Sequence, residues 1–328
     1  MVGVMTGDRI ALLDVGHGNG TVLHIGDQVC VIDAGPGTTL LEYIQENSLP
    51  SIDLVILSHA DQDHIGGLIG LLVAGNIPIK RVLLNTNSEK ESKVWAGLVH
   101  ELSVHWQNKG LQFDVGLTAQ DSPITIGSAT LEILSPSPGL AAMGAGSLTS
   151  EGRRITSNTI SVVIRVIYDG QPVTLLTGDM DGIALDELLS RNVPATTSLL
   201  VFPHHGGASG PRSAAFATKL LRATKPDAVV FSVGRGRFGN PKKQIVEAVR
   251  ASNANIRVIC TQLNEECAST LPKERPTHLT SLVAHGRERN RCCAGTVVLK
   301  LGQGGGLFPR ETPHREFIRL RVPSAMCQ

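Results

Sequence analysis

The chain has 328 residues, 41% of them hydrophobic, with 35 glycines and 17 prolines, which is ample for a buried core. Thirty basic against 29 acidic residues leave a formal net charge of +1, so no global field draws the protein onto nucleic acid or membrane, and polyanion binding is left to local patches. Residues 1–9 lack the basic and apolar regions of a signal peptide, and the longest apolar runs, such as 65–74, are too short and Gly-rich to span a bilayer. With six cysteines read as thiols, a soluble cytoplasmic protein is expected.

Residues 9–14, 21–25 and 28–33 read as three short strands separated by Gly-rich turns. A helix follows at 39–47, ended by Pro50, and then a buried strand at 52–57. The stretch 63–73 is helical and 81–84 is another strand. Within 89–106, Val94, Trp95, Leu98, Val99 and Leu102 recur at the spacing of one helix face. A stretch rich in Ser, Gly, Pro and Ala, at about 135–157, reads as a long loop, a kind of segment usually functional or disordered. Strands at 160–168 and 173–176, a helix at 183–189, a strand at 198–202, a helix at 214–221, a strand at 228–232, a helix at 243–250 and a strand at 256–259 then alternate. The final strand is 295–301. The pattern is that of one α/β domain over 1–301, with a Cys- and His-bearing part at about 260–301 and a loosely ordered tail at 302–328.

Four candidate ligands, His59, Asp61, Asp63 and His64, leave that buried strand within six residues and precede Gly66-Gly67. A loop leaving a strand can aim alternate side chains into one cavity, and borderline or hard metals take imidazole with carboxylate. The plain alternative is a polar loop in which Asp63 caps the next helix. Two more polar clusters end strands: Thr177-Gly178-Asp179, which alone would be an ordinary turn, and Pro203-His204-His205-Gly206-Gly207. All three lie where α/β proteins place their sites.

In order, Leu13-Asp14-Val15-Gly16-His17-Gly18-Asn19, Val31-Ile32-Asp33-Ala34-Gly35, Ser58-His59 through Gly67, Ser157-Asn158, Gly178-Asp179 and His204-His205-Gly206 resemble the ComEC-type branch of the metallo-β-lactamase superfamily, over residues from about 10 to about 260. The resemblance implies an αββα sandwich, a metal centre at the sheet edge and hydrolysis, often of phosphodiesters. It implies His59 and Asp61 on one ion, Asp63 and His64 on a second, Asp179 bridging, and His204 or His205 completing the shell. Asn158 and Ser209 match substrate-side polar positions, and Asp33 a supporting one. Two departures stand out. Asp61 replaces the second His of many members, as in ComEC-like ones, and the added oxygen shifts preference from zinc towards manganese or magnesium. Asn240, before Pro241, stands where that branch often has His, so the second ion is expected to bind weakly or only with substrate.

Cys267, Cys292 and Cys293, with His278 and His285 between them, could hold a structural zinc, but the spacing is poor and buried free thiols are the simpler reading. Basic residues cluster at Arg153-Arg154, at Arg235, Arg237 and Lys242-Lys243, and at Arg287, Arg289 and Arg291. The usual role of such groups is a solvated surface. In the family arrangement the first two flank the site, where Arg235 and Arg237 could hold phosphates. The expectation is therefore a hydrolase with one or two divalent ions, Zn or Mn, acting on a phosphodiester substrate, possibly nucleic acid. Asp63 or Asp179 would orient the attacking water, and His204 or His205 would protonate the leaving group. A thioester, lactone or lactam hydrolase on the same fold and a catalytically silent nucleic-acid-binding domain are the alternatives.

Overall fold

The computed structural model describes residues 7–85, 87, 90–207, 212–279 and 282–328. The N-terminal half opens with β1 (Arg9–Leu12), β2 (Gly20–Ile25) and β3 (Gln28–Ala34), then α1 (Thr39–Glu46), β4 (Ile52–Ile56), α2 (Gln62–Ala74), β5 (Ile79–Leu84), α3 (Lys93–Lys109) and β6 (Gln112–Val115). Next come β7 (Ile124–Ile126), β8 (Ala129–Ser135), the short helix α4 (Pro138–Met143), β9 (Val163–Tyr168), β10 (Gln171–Leu176), α5 (Gly182–Ser190) and β11 (Leu199–Val201). The remainder is α6 (Ser213–Thr224), β12 (Ala228–Phe231), α7 (Lys243–Ser252), β13 (Arg257–Cys260), β14 (Val297–Lys300), β15 (Gly306–Phe308) and α8 (Glu311–Arg321).

The strands form two sheets, of order β15-β14-β1-β2-β3-β4-β5-β6 and β13-β12-β11-β10-β9-β8-β7. Strand periodicity sorts side chains into layers. Ile10 and Leu12 of β1 enter the core between the sheets, whereas Ala11 pairs with residues under the N-terminal helices. In β12, Ala228 and Val230 face between the sheets, and Val229 and Phe231 face the C-terminal helices. Burial on both faces explains why strands such as β4 and β12 read as nearly continuous apolar runs. The product is the expected αββα sandwich. Among the described residues no helix is long and apolar enough to cross a membrane.

Two expectations need correction. Residues 302–328 are not a loose tail. β15 pairs antiparallel with β14, and α8 buries His314, Phe317 and Ile318 against the second sheet's helical layer, with Val322 behind them. The segment near 135–157 is not structureless either. It contains α4, capped by Ser137 Oγ accepting from Leu140 N, and an antiparallel bridge between Leu148 and Arg154.

Candidate metal centre

Four loops, each leaving the C-terminal end of a strand, carry the candidate ligands. After β1, the buried Asp14 carboxylate accepts hydrogen bonds from Gly16 N (3.1 Å), Gly286 N (3.0 Å) and Gln262 Nε2 (2.8 Å). Asn19 N donates to Asp63 O (3.1 Å), and Ser232 Oγ donates to Gly18 O (2.6 Å). His17 is thereby fixed between the start of α2 and the end of β12. After β4 come His59 and Asp61, with Asp63 and His64 in the first turn of α2. After β10, Gly178 has φ +49°, and a Cβ there would lie 2.3 Å from Ser161 Oγ, so only glycine allows the turn that delivers Asp179. After β11, His204 and His205 both take left-handed backbone, φ 52° and 55°, a strained pair of the kind found at functional sites.

These loops converge on Asp179. Its Oδ2 lies 3.4 Å from His204 Nδ1 and 3.9 Å from His59 Nε2. Its Oδ1 lies 3.3 Å from His64 Nε2 and 3.7 Å from His205 Nε2. Asp63 Oδ2 is 3.4 Å from both His17 Nε2 and His205 Nε2. Among the described residues, two groups bring three ligand atoms within 4.8 Å of one another: His59, His64 and Asp179, and His17, Asp63 and His205. Sequence reasoning quoted His17 within a motif but gave it no role. Its signal is a lone His between two glycines, and only the tertiary approach of Asp63 and His205 makes it informative.

Three imidazoles are oriented from behind. His59 Nδ1 meets Ser58 Oγ (3.0 Å) and Ser161 Oγ (3.4 Å), His64 Nδ1 meets Asp33 Oδ2 (2.7 Å), and His205 Nδ1 meets Ser232 O (2.9 Å). In each the opposite nitrogen, Nε2, is buried without a hydrogen-bond partner, as is Asp179 Oδ1. Buried polar atoms left bare and aimed at a common point are costly unless something fills that point. An imidazole held at one nitrogen and bare at the other is the arrangement metal ligation uses. The donor set of imidazoles and carboxylates fits divalent ions.

The charges agree in part. Burial alone would lower the His64 imidazole, but Asp33 and Asp179 outweigh it and hold the group well above its usual value, so it must give up a proton to ligate, whereas two others are already neutral. Burial, reinforced by His64, pushes the His59 imidazole down to about 4, and burial with His205 does the same to His17. Both therefore stand neutral at pH 7, as ligands must. Burial alone would raise the Asp179 carboxyl, but the imidazoles of His64 and His205 outweigh it and hold the group well below the usual carboxylate range.

The other expected site residues fare unequally. Asp61 stands apart from both groups, 3.9 Å from His59 Nε2 and ion-paired to Lys90 Nζ at 2.6 Å. Asn158 presents a buried Oδ1 with no partner. Ser209 lies outside the described residues. Asn240 gives Nδ2 to His204 O (3.3 Å), supporting that loop, while its Oδ1 is buried and bare. Arg237 is exposed beside His17. Arg235 is corrected. Its guanidinium donates to the carbonyls of Leu263, Asn264, Ala268 and Ser269, so it braces a loop and has no face for a phosphate. Arg235→Ala is expected to cost about 2–3 kcal/mol of stability by leaving those acceptors unsatisfied, with little change in KM. Denaturant unfolding measures the first, and wild-type stability with a raised KM would restore the substrate role.

The late cysteines form no metal site among the described residues. Cys292 Sγ faces Asp14 Oδ2, Cys293 Sγ faces His314 Nε2, and Cys267 Sγ faces the amide of Met326. They are free thiols.

Several solved structures and one family model are similar to this chain. The metallo-β-lactamase fold protein YhfI from Bacillus subtilis superposes at TM-score 0.48 with 12% identity, over 77% of this chain and 96% of that one. Igni18, a metallo hydrolase from the archaeon Ignicoccus hospitalis, gives 0.43 with 18% identity over 76% and 95%. Yeast PDE1 gives 0.47 with 12% identity over 78% and 98%. A comparison with curated protein sequences finds no match. The model of the metallo-beta-lactamase superfamily matches residues 13–235, and the chain belongs to that superfamily.

Proposed function

We propose that this protein is a divalent-metal phosphodiesterase, acting on nucleic acid or a nucleotide ester held through local basic patches. Metal-dependent hydrolysis is the chemistry of the superfamily. The finer reading is carried by Asp179, whose two oxygens face different imidazole pairs, His59 with His204 and His64 with His205. Such a carboxylate suits a site for two cations, and paired cations suit in-line displacement at phosphorus. Divalent ions would supply a nucleophilic water at neutral pH and neutralise charge at the phosphoryl group.

His59, His64 and Asp179 would hold one ion, and His17, Asp63 and His205 the other, with Asp179 lying between the two groups. Asp61, ion-paired to Lys90, would join the first set only on leaving that partner. Asp63, the more solvent-exposed of the two central carboxylates, accepts a hydrogen bond from the attacking water and orients it. His204 is the most exposed of the imidazoles at 17%, against 0–7% for the rest. Its Nδ1 faces Asp179, so Nε2, buried and without a hydrogen-bond partner, is the atom left to hold a proton for the leaving oxygen.

The test is metal-stripped protein with ions added back, assayed on DNA, RNA, cyclic nucleotides and bis(p-nitrophenyl) phosphate beside a thioester and a β-lactam. Expected is metal-dependent turnover of the phosphodiesters, supported by zinc or manganese, as a mixed imidazole and carboxylate donor set allows. Polynucleotide cleavage should also fall as salt rises from about 50 to 200 mM. Full activity after exhaustive chelation, or turnover confined to the thioester and lactam, overturns the proposal.

A further inference from the structure

A second cleft begins where the metal centre ends. His17 belongs to both, and from it Gly16, Gly234, Arg237, His285 and Arg291 line an open volume of about 610 Å³. The loop after β12 lies hard against the His17 loop, because a Cβ on Gly234 would stand 2.3 Å from His17 N. That contact projects Arg237 and Phe238 over the rim. The Phe238 ring is 4.7 Å from the His17 ring, and the Arg237 guanidinium sits 5.3 Å from the Phe238 ring centroid. Arg237 is thus positioned by stacking, without an ion pair.

Arg291 lines the same cleft. Its backbone is pinned on both sides, its amide donating to Gly286 O (2.8 Å) and its carbonyl accepting from Leu263 N (2.7 Å). Its Nε is buried and has no hydrogen-bond partner. Among the described residues neither Arg237 nor Arg291 has a carboxylate partner, whereas Arg153, Arg165, Arg191, Arg275 and Arg321 each have one. The exposed His285 imidazole completes the wall, its amide fixed by Asp14 O (2.8 Å).

Two guanidiniums and an imidazole, all donors and none neutralised, converge on one concave space beside a catalytic centre. A planar guanidinium matches the oxygens of a phosphate in bidentate fashion. We infer that this cleft is a phosphate subsite, which binds a second phosphate of the substrate while the scissile diester occupies the metal centre. The inference rests on the phosphodiesterase reading. That second phosphate belongs either to the next linkage of a polynucleotide or to a terminal phosphomonoester.

The experiment compares metal-loaded, full-length wild type with Arg237→Gln, Arg291→Gln and the double variant. Inorganic phosphate binding is measured by calorimetry, and kcat/KM on a dinucleotide with and without a 5′-phosphate and on a trinucleotide. Any affinity of the ions themselves for phosphate is common to all four proteins. The double variant should bind phosphate at least tenfold more weakly, and should lose at least tenfold of its preference for the 5′-phosphorylated dinucleotide, through KM. An equal loss on the trinucleotide assigns the phosphate to a chain linkage, and a loss only on the 5′-phosphorylated dinucleotide assigns it to a terminus. Wild-type phosphate affinity and preference in the folded double variant overturn the subsite. If Arg291→Gln does not fold, Arg237→Gln, at an exposed position, must still weaken phosphate binding severalfold or the inference fails. Loss of phosphate affinity with no turnover of any diester keeps the subsite and sinks the phosphodiesterase.

Discussion

Asp179→Asn is expected to lower turnover about 10²–10³-fold, the scale of losing one preorganised electrostatic group in an active site, and to lower metal content by elemental analysis. Asn keeps the shape of Asp but removes the charge and replaces one oxygen with an NH₂. That NH₂ would point at imidazole nitrogens where a cation is proposed, so one of the two halves of the centre loses its shared ligand. The fold should survive. Asp179 holds its place through its backbone amide, which donates to Ser161 Oγ (3.1 Å), and its Oδ1 makes no hydrogen bond that substitution could break. The thermal midpoint of the metal-free variant should nonetheless drop, because the carboxylate that His64 and His205 hold ionised contributes to stability. Near wild-type turnover in a folded variant would reduce Gly178-Asp179 to an ordinary turn.

Asp33→Asn probes the support behind the ligands. Asp33 Oδ1 accepts from Ser58 N (2.7 Å), and Oδ2 takes both Ser58 Oγ (2.8 Å) and His64 Nδ1 (2.7 Å). Its backbone is left-handed, φ 58°, a conformation that Asn also tolerates, so the substitution leaves the chain path unstrained. What changes is the proton on His64. An amide NH₂ in place of Oδ2 forces Nδ1 to accept, which puts the ring proton on Nε2 and spoils it as a ligand. Metal affinity should fall about 10–100-fold, as other losses of a carboxylate behind a ligating His do. Stability should fall by about 1–3 kcal/mol as Ser58 Oγ loses its acceptor. Metal titration and denaturant unfolding read the two effects. Unaltered metal affinity in a folded variant would show that Asp33 braces the backbone alone.

Individual strands and helices were legible where buried apolar runs alternated with helix-period segments, and the two-sheet sandwich itself followed from the family resemblance. β4 with α2, and β10 through β13 with their helices, stand within a few residues of their sequence-based bounds. β6 and β7 carry little readable period. They are four and three residues long, and β6 is mostly exposed at a sheet edge. β8 does alternate, through Ala129, Leu131 and Ile133, a signal that sequence reasoning missed. α8 is hidden by its own composition: Glu311-Thr312-Pro313-His314-Arg315-Glu316 reads as surface, and its burial rests chiefly on His314, Phe317 and Ile318. At the site, the sequence pointed to His59, Asp63, His64, Asp179, His204 and His205 because the ligand types are dense and strand-terminal, and the fold brings these side chains together. It did not point to His17, because a single imidazole gains meaning only from neighbours 46 and 188 residues away, Asp63 and His205. Arg235 misled because charge in a sequence says nothing of which carbonyls surround it.

His17, His59, Asp63 and His64 hang from the first sheet, and Asp179, His204 and His205 from the second. A cation shared among them would therefore be a rivet between two layers that otherwise adhere by apolar contact and a few hydrogen bonds, such as Ser232 Oγ to Gly18 O. Any breathing that parts the sheets at this edge also scatters the donors, so ion release and opening of the sandwich become one event seen from two sides. By mass action, the tighter the ion is held, the more rarely that edge gapes. The rigidity that hydrolysis demands of its nucleophile and the endurance of the whole sandwich then draw on the same few bonds.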